Sequence, residues 1–349
     1  MKTITPTLQS MEIPYPPSWI DRFIAWIDQL PGPVWLYYGL GLLGSELAVN
    51  GVFWIDGSMP AGSFDPFSTS FAMFIVYWPL LYRYLTYVGY RSLRAFSPLL
   101  DVDQAETDRL GYALATLPRN LGRLAIPVGF GFAVLSIVGD PAPYGEIVPN
   151  TALPYIADIM VTGFMATTFL CLVIRSVRQL RMVGRLHARA ANINLLALGP
   201  AHAFSDLTAR TGVGIILVLI FGYISDPLSY GSPIDLLVSL MTAAVAIVVF
   251  VMPIMGIQDH IEEEKERALH ATNTLLQAVS DQLHNQLQGG VDRGIRETNA
   301  ALQALTRERE LIKGVSTWPW DPKTIRGFAS ALLLPIFLWL VTRLLERLI

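Results

Sequence analysis

Long apolar runs separated by short polar connections set the pattern of this chain. A helix needs about 20 residues to cross a ~30 Å hydrocarbon core. Seven runs approach that length: Pro33–Ile55, Ser68–Gly89, Arg123–Val138, Leu153–Ile174, Gly212–Ile224, Pro233–Ile257 and Ile325–Thr342. The third and fifth are short, and each can gain a turn, from 117–122 and from 207–211. Ahead of them, Trp19, Phe23, Trp26, Ile27 and Leu30 recur at helical spacing within Ser18–Leu30, while Asp21, Arg22 and Asp28 fall elsewhere. That predicts an amphipathic helix lying in the headgroup region or against a cytoplasmic domain.

The interruption between the sixth and seventh runs is of another kind. Gln258–Gly314 is long and polar, with Ala268, Leu275, Leu276, Val279, Leu283 and Leu287 at spacings of three, four and seven. The stripe resumes at Val291, Ile295, Leu302 and Leu305, which predicts two amphipathic helices joined or kinked at Gly289–Gly290. Such a stripe needs a cover: the partner helix, the arginine-rich connection, or the same segment of another subunit. Its length and narrow seam favour the last.

Orientation follows from the arginines. Loops 50–67, 139–152 and 225–235 carry no Lys or Arg. Arg83, Arg91, Arg94, Arg109, Arg119 and Arg123 mark the second-to-third connection, and Arg175, Arg178, Arg181, Arg185, Arg189 and Arg210 mark the fourth-to-fifth. The positive-inside rule makes those two cytoplasmic and the N-terminus with them. The C-terminus is then outside, which requires Arg343 and Arg347 to cross, unless the last helix is re-entrant or interfacial. The predicted fold is all-α: a polytopic membrane protein of about seven transmembrane helices with a cytoplasmic helical hairpin or coiled-coil segment before the last span. Its parts are 1–32, an N-terminal segment with an interfacial helix; 33–257, six spans; 258–322, the cytoplasmic helices; and 323–349, the last span.

Asp321 followed by Pro322 reads as N-cap and first position of that last helix. Trp318 and Trp320 then lie at headgroup depth, with Lys323 and Arg326 as anchors. Leu333, Pro335, Phe337 and Leu340 are its candidate pore-side positions. Pro79, Pro127, Pro253 and Pro335 fall within runs and predict kinks.

Composition sharpens the class. The chain is 52% hydrophobic and 15% charged with mean hydropathy +0.45, against roughly a quarter charged in a soluble domain. A net charge of −3 offers no basic field for nucleic acid. The single Cys171 excludes an internal disulfide and reads as a small packing residue. Met1–Pro17 holds four prolines and no apolar core, unlike a cleavable signal.

Candidate chemistry is sparse. Glu46 and Asp158 fall within the first and fourth runs, at about 14 Å and about 6–8 Å from the outer ends. Intramembrane acids are proton or cation candidates; the alternative is a protonated Glu46 bonded across helices to Tyr77 or Asn50. Arg175, Arg178, Arg181 and Arg185 follow the fourth run and are expected beyond the hydrocarbon, on lipid headgroups or on the acidic run Glu262–Glu266. Gly39, Gly41 and Gly44 spell G-x-G-x-x-G inside an apolar run, so small residues there and at Gly129, Gly131 and Gly163 read as helix-contact positions. The acidic stretch Asp101–Asp108 lacks a calcium frame and reads as a solvated loop. His187, His202, His260, His270 and His284 show no ligand spacing, and no nucleophile elbow or P-loop occurs. Neither an enzyme, a metal nor a cofactor is expected.

The layout, with long cytoplasmic helices before a final span, resembles the seven-helix ion channels that include insect odorant and gustatory receptors. The resemblance implies a homo-oligomer in the plasma (cytoplasmic) membrane, with Gln258–Gly314 joining subunits and 329–340 lining or adjoining an axis. Two other readings stand beside it: a sensor or scaffold docking a soluble partner, and a cation- or proton-coupled transporter using Glu46.

Overall fold

A computed structural model describes residues 14–100, 102–139, 147–189, 203–225, 233–288, 294–317, 325–334 and 337. Every regular element among them is a helix: α1 (Trp19–Gln29), α2 (Val34–Asp56), α3 (Pro66–Phe96), α4 (Gln104–Ala115), α5 (Arg119–Gly139), α6 (Leu153–Ala188), α7 (Ala203–Ser225), α8 (Pro233–Gln288), α9 (Ile295–Gly314) and α10 (Ile325–Leu334). Each apolar run falls on a helix, α10 covering the described start of the seventh. Two described helices, Arg119–Gly139 and Leu153–Leu186, are long and apolar enough to cross a membrane, and most of each apolar stretch is unburied.

Local chemistry sets the ends. Ser18 and Asp21 form a reciprocal capping box at the start of α1. Asp103 caps α4 by accepting from the Glu106 N–H at 2.7 Å, so the acidic stretch expected as a loop is a helix start, Asp101 lying outside the described residues. Gly57 ends α2 with φ +74° and Gly294 precedes α9 with φ +94°, a region where a Cβ is strained. Pro79 and Pro127 sit inside α3 and α5.

Packing depends on two glycines in particular. A Cβ on Gly129 would lie 2.6 Å from the Thr167 backbone nitrogen, and one on Gly163 would lie 2.6 Å from the Phe130 ring, so α5 and α6 approach closely. Gly39, Gly44 and Gly131 have open space around them and Gly41 meets only Val76 at 3.7 Å, so the predicted contact role fails there.

α8 departs most from expectation. It runs unbroken for 56 residues, about 84 Å, so the boundary expected at Gln258 lies inside one helix. α9 folds back along it: Arg309 Nε donates to Asn273 Oδ1 at 2.8 Å, the Thr298 hydroxyl to Gln286 Oε1 at 3.0 Å, and Lys265 Nζ to the Val315 carbonyl at 2.6 Å. Leu276, Val279, Leu283, Leu302 and Leu305 are half-buried in this hairpin, whereas Leu275, Leu287 and Leu311 are exposed. Gly289 and Gly290 lie outside the described residues.

Candidate functional site

The ends of the bundle differ. At one, the Asp56 carboxylate accepts from the Asn150 N–H at 2.7 Å and from the Thr151 hydroxyl, tying the end of α2 to the start of α6. These hydrogen bonds hold the Asp56 carboxyl below its usual range. Both segments belong to loops that lack Lys and Arg.

At the other end α1 docks. Pro17 pairs with Pro118, the Ser18 N–H donates to the Leu117 carbonyl at 2.9 Å, and the Trp19 indole N–H donates to the Gly122 carbonyl at 3.1 Å. A Cβ on Gly122 would fall 2.6 Å from the Ser18 Cβ, so this approach needs glycine. Ile20, Ile24 and Ile27 are the buried face of α1, while Trp26 is exposed. Of the expected face, Ile27 is buried, Trp19, Phe23 and Leu30 are half-buried and Trp26 is exposed, and the structure adds Ile20 and Ile24 to the buried side.

Asp21, placed off the apolar face by periodicity, is the hinge of the docking. Its carboxylate accepts from the Ser18 N–H (3.1 Å), the Ser18 hydroxyl (2.6 Å), the Leu117 N–H (3.0 Å) and the Tyr82 hydroxyl (2.7 Å). Burial pushes the carboxyl above its usual range, against the pull of those donors and of the Arg175 charge. Arg175 is only 1% exposed. Its guanidinium stacks on the Tyr82 ring at 3.9 Å and donates through Nη1 to the Tyr82 carbonyl (3.0 Å) and the Thr86 hydroxyl (2.7 Å). Buried Gln179 donates to the Leu114 carbonyl at 2.8 Å one turn further.

This corrects the headgroup assignment for Arg175. The arginines are expected past the hydrocarbon, on lipid headgroups or on the acidic run, but Tyr82 and Thr86 of α3 enclose Arg175, and α4 lies against the next turn at Gln179. Arg178 is half-buried over the Tyr15 ring at 5.5 Å, whereas Arg181 and Arg185 are exposed. In the acidic run, Arg267 pairs with Glu263 and Glu264 of its own helix.

The predicted acids sit elsewhere. Glu46 is half-buried, with its Oε2 enclosed and facing the Thr69 side chain on α3. The expected partners are engaged otherwise: the Tyr77 hydroxyl donates to the Gly214 carbonyl at 2.5 Å, and Asn50 Nδ2 donates to the Glu46 main-chain carbonyl at 3.0 Å. Asp158 Oδ1 accepts from Thr162 of its own helix at 2.8 Å.

In α10, Phe328 is buried in the core while Arg326 and Leu333 are exposed, as is Phe337 beyond it. Trp318, Trp320, Lys323, Pro335 and Leu340 lie outside the described residues. Where α3, α7 and the start of α10 meet there is an open cleft of about 710 Å³, with Arg83, Tyr84, Asp206 and Arg210 toward one end and Tyr77, Gly214 and Leu217 toward the other. Sequence reasoning flagged neither this cleft nor the cluster around Asp21 and Arg175. The sole available signal for the cluster was the S-x-x-D capping box of α1. No protein family, curated protein or solved structure matches the chain.

Proposed function

We propose that the chain is a multi-pass protein of the plasma (cytoplasmic) membrane with about seven spans and a cytoplasmic N-terminus. It assembles with copies of itself through the α8–α9 hairpin into a channel-like oligomer. The observation that carries the membrane reading is the inverted burial of the bundle. Leu36, Leu40, Leu43 and Leu47 form an exposed stripe on α2, and Leu124, Val128, Phe132 and Leu135 form another on α5, while Arg175 and Gln179 are buried. Water-facing surfaces do not sustain contiguous apolar stripes of that length, and lipid does. The meeting of two loops without arginine at one end, and of the arginine-bearing segments at the other, supports the orientation.

Assembly is supported by the hairpin. It stands on an unbroken helix, so its position is transmitted to the bundle without a joint, and Leu275, Leu287 and Leu311 remain exposed on it. The deciding experiment counts subunits in nanodiscs by single-particle imaging and then measures conductance. A closed ring that conducts is the expected result. A monomer overturns the assembly, and a ring without conductance overturns the channel and leaves a scaffold that docks a soluble partner.

One observation favours a second reading, proton- or cation-coupled transport: the Glu46 Oε2, enclosed within the bundle and facing only the Thr69 hydroxyl rather than a cation. Flux into liposomes separates the two readings. Glu46→Gln abolishes pH-dependent flux if that carboxyl carries the proton, and unchanged flux ends this reading.

A further inference from the structure

The cleft between α3, α7 and α10 has unlike ends. The charged end lies where α7 begins, among the arginine-bearing segments, and the groove follows α7 from Asp206 to Leu217, about 16 Å. That is close to the depth of one leaflet of a ~30 Å hydrocarbon core. Its volume falls within the range of small-molecule sites, roughly 300–1,000 Å³.

Both arginines of the lining are paired, Arg210 with Asp206 inside the cleft and Arg83 with Asp28 of α1, which is not one of the lining residues. Arg83 Nε donates to Asp28 Oδ1 at 2.7 Å, and Arg210 Nε donates to Asp206 Oδ1 at 2.6 Å, with Arg210 Nη1 on the Tyr84 hydroxyl. A guanidinium carries five N–H donors in a planar fork, so these bonds leave donors on both arginines while the two positive charges are matched by two carboxylates. A purely anionic head would add net negative charge to a neutral rim. A head carrying both a phosphate and an ammonium would add none, and it offers each group a partner of opposite sign.

We propose that this cleft binds one zwitterionic, amine-headed phospholipid of the cytoplasmic leaflet. The phosphate takes the remaining donors of Arg210 and Arg83, the ammonium lies beside Asp206, and one acyl chain follows the wall of Leu80, Leu217 and Phe328. This inference rests on the membrane reading given above.

The test titrates the purified full chain in detergent micelles with phosphatidylethanolamine, phosphatidylglycerol or diacylglycerol of the same chains, read by native mass spectrometry. One phosphatidylethanolamine per chain is expected to be retained, with phosphatidylglycerol weaker. Diacylglycerol, which lacks the phosphate, is expected to be weaker by about tenfold or more. Arg210→Gln should lower phosphatidylethanolamine retention by about tenfold. Leu217→Trp, which fills the apolar end and leaves the charges alone, should lower retention of every lipid. Equal retention of the three lipids, or retention unchanged in both variants, overturns the site. Flotation with liposomes after alkaline carbonate is the separate control. A chain that floats but shows no lipid preference sinks this proposal alone, and a chain that does not float sinks the membrane reading with it.

Discussion

The bundle and the hairpin place the same residue types in opposite positions. In the bundle Arg175 is 1% exposed and Leu135 is 73% exposed. In the hairpin the Arg267 side chain is 68% exposed, while Ile312 and Thr298 fill the seam. Lipid accepts outward leucines and penalises unpaired polar groups, so polar side chains gather where they can bond to one another; water imposes the reverse. On the proposed membrane reading the change of regime falls within α8, whose helix is continuous because an α-helix satisfies its own backbone in either surroundings. Only the side chains record the boundary.

The sharpest way to break this comparison is Arg175→Met, which keeps bulk and removes the charge. It strips the Tyr82 carbonyl and the Thr86 hydroxyl of their donor and leaves the Asp21 carboxylate without its nearby cation. Hydrogen bonds to a charged group are typically worth about 1.5–3 kcal/mol, and a loss of that order is expected in reversible unfolding from mixed micelles. Stability equal to wild type would show that the cluster does not organise this end of the bundle.

Next comes a matched pair, since Phe132 in α5 and Leu311 in α9 are both 58% exposed. An arginine at a lipid-facing position costs about 3 kcal/mol of insertion, whereas a water-facing surface substitution stays within about 0.5 kcal/mol. Phe132→Arg should therefore impair insertion or stability and Leu311→Arg should not. Equal effects would mean that both faces meet the same solvent.

Within α5 the contrast is steric. Gly129→Ala forces a Cβ against the Thr167 backbone and is expected to destabilise by about 1–3 kcal/mol, while Gly131→Ala meets open space and should be neutral or slightly stabilising through helix propensity. Thermal unfolding of the two variants side by side measures the difference.

The smallest expected effect is a pH dependence. The folded Asp21 carboxyl is raised above its unfolded value, so its contribution is fully present below the ordinary carboxylate range and is lost as pH rises through the raised value. Asp56 is lowered, so its contribution is present above that range and is lost as pH falls through its folded value. Hydrogen exchange corrected for intrinsic rates should show α1 loosening with rising pH and the Asp56–Thr151 contact loosening with falling pH. Asp21→Asn should flatten the first dependence and leave the second. A flat α1 profile in wild type would count against the assigned direction.

The helices were legible because their signal is local. Seven apolar runs and a 3.6-residue period need only neighbours in sequence, and α2, α3, α5, α6, α7 and α8 fall where the runs lie. The length of α8 was less legible, since a change from apolar to polar side chains looks like a boundary even where the backbone continues. Among the contact glycines, pattern could not separate Gly129 from Gly131, because what differs is the neighbour each one meets.

The sequence by itself determined an all-helical chain, the run positions and the arginine asymmetry between connections. Tertiary structure alone decided which stripe of α1 is buried, that Asp21, Tyr82 and Arg175 meet from positions far apart in the chain, and that α3, α7 and α10 leave a cleft between them. The physical reason is that hydrophobic periodicity reports how much of a helix avoids water, not which neighbour covers it. A charge beyond an apolar run reads as solvated until another helix, here α3, is seen to close over it.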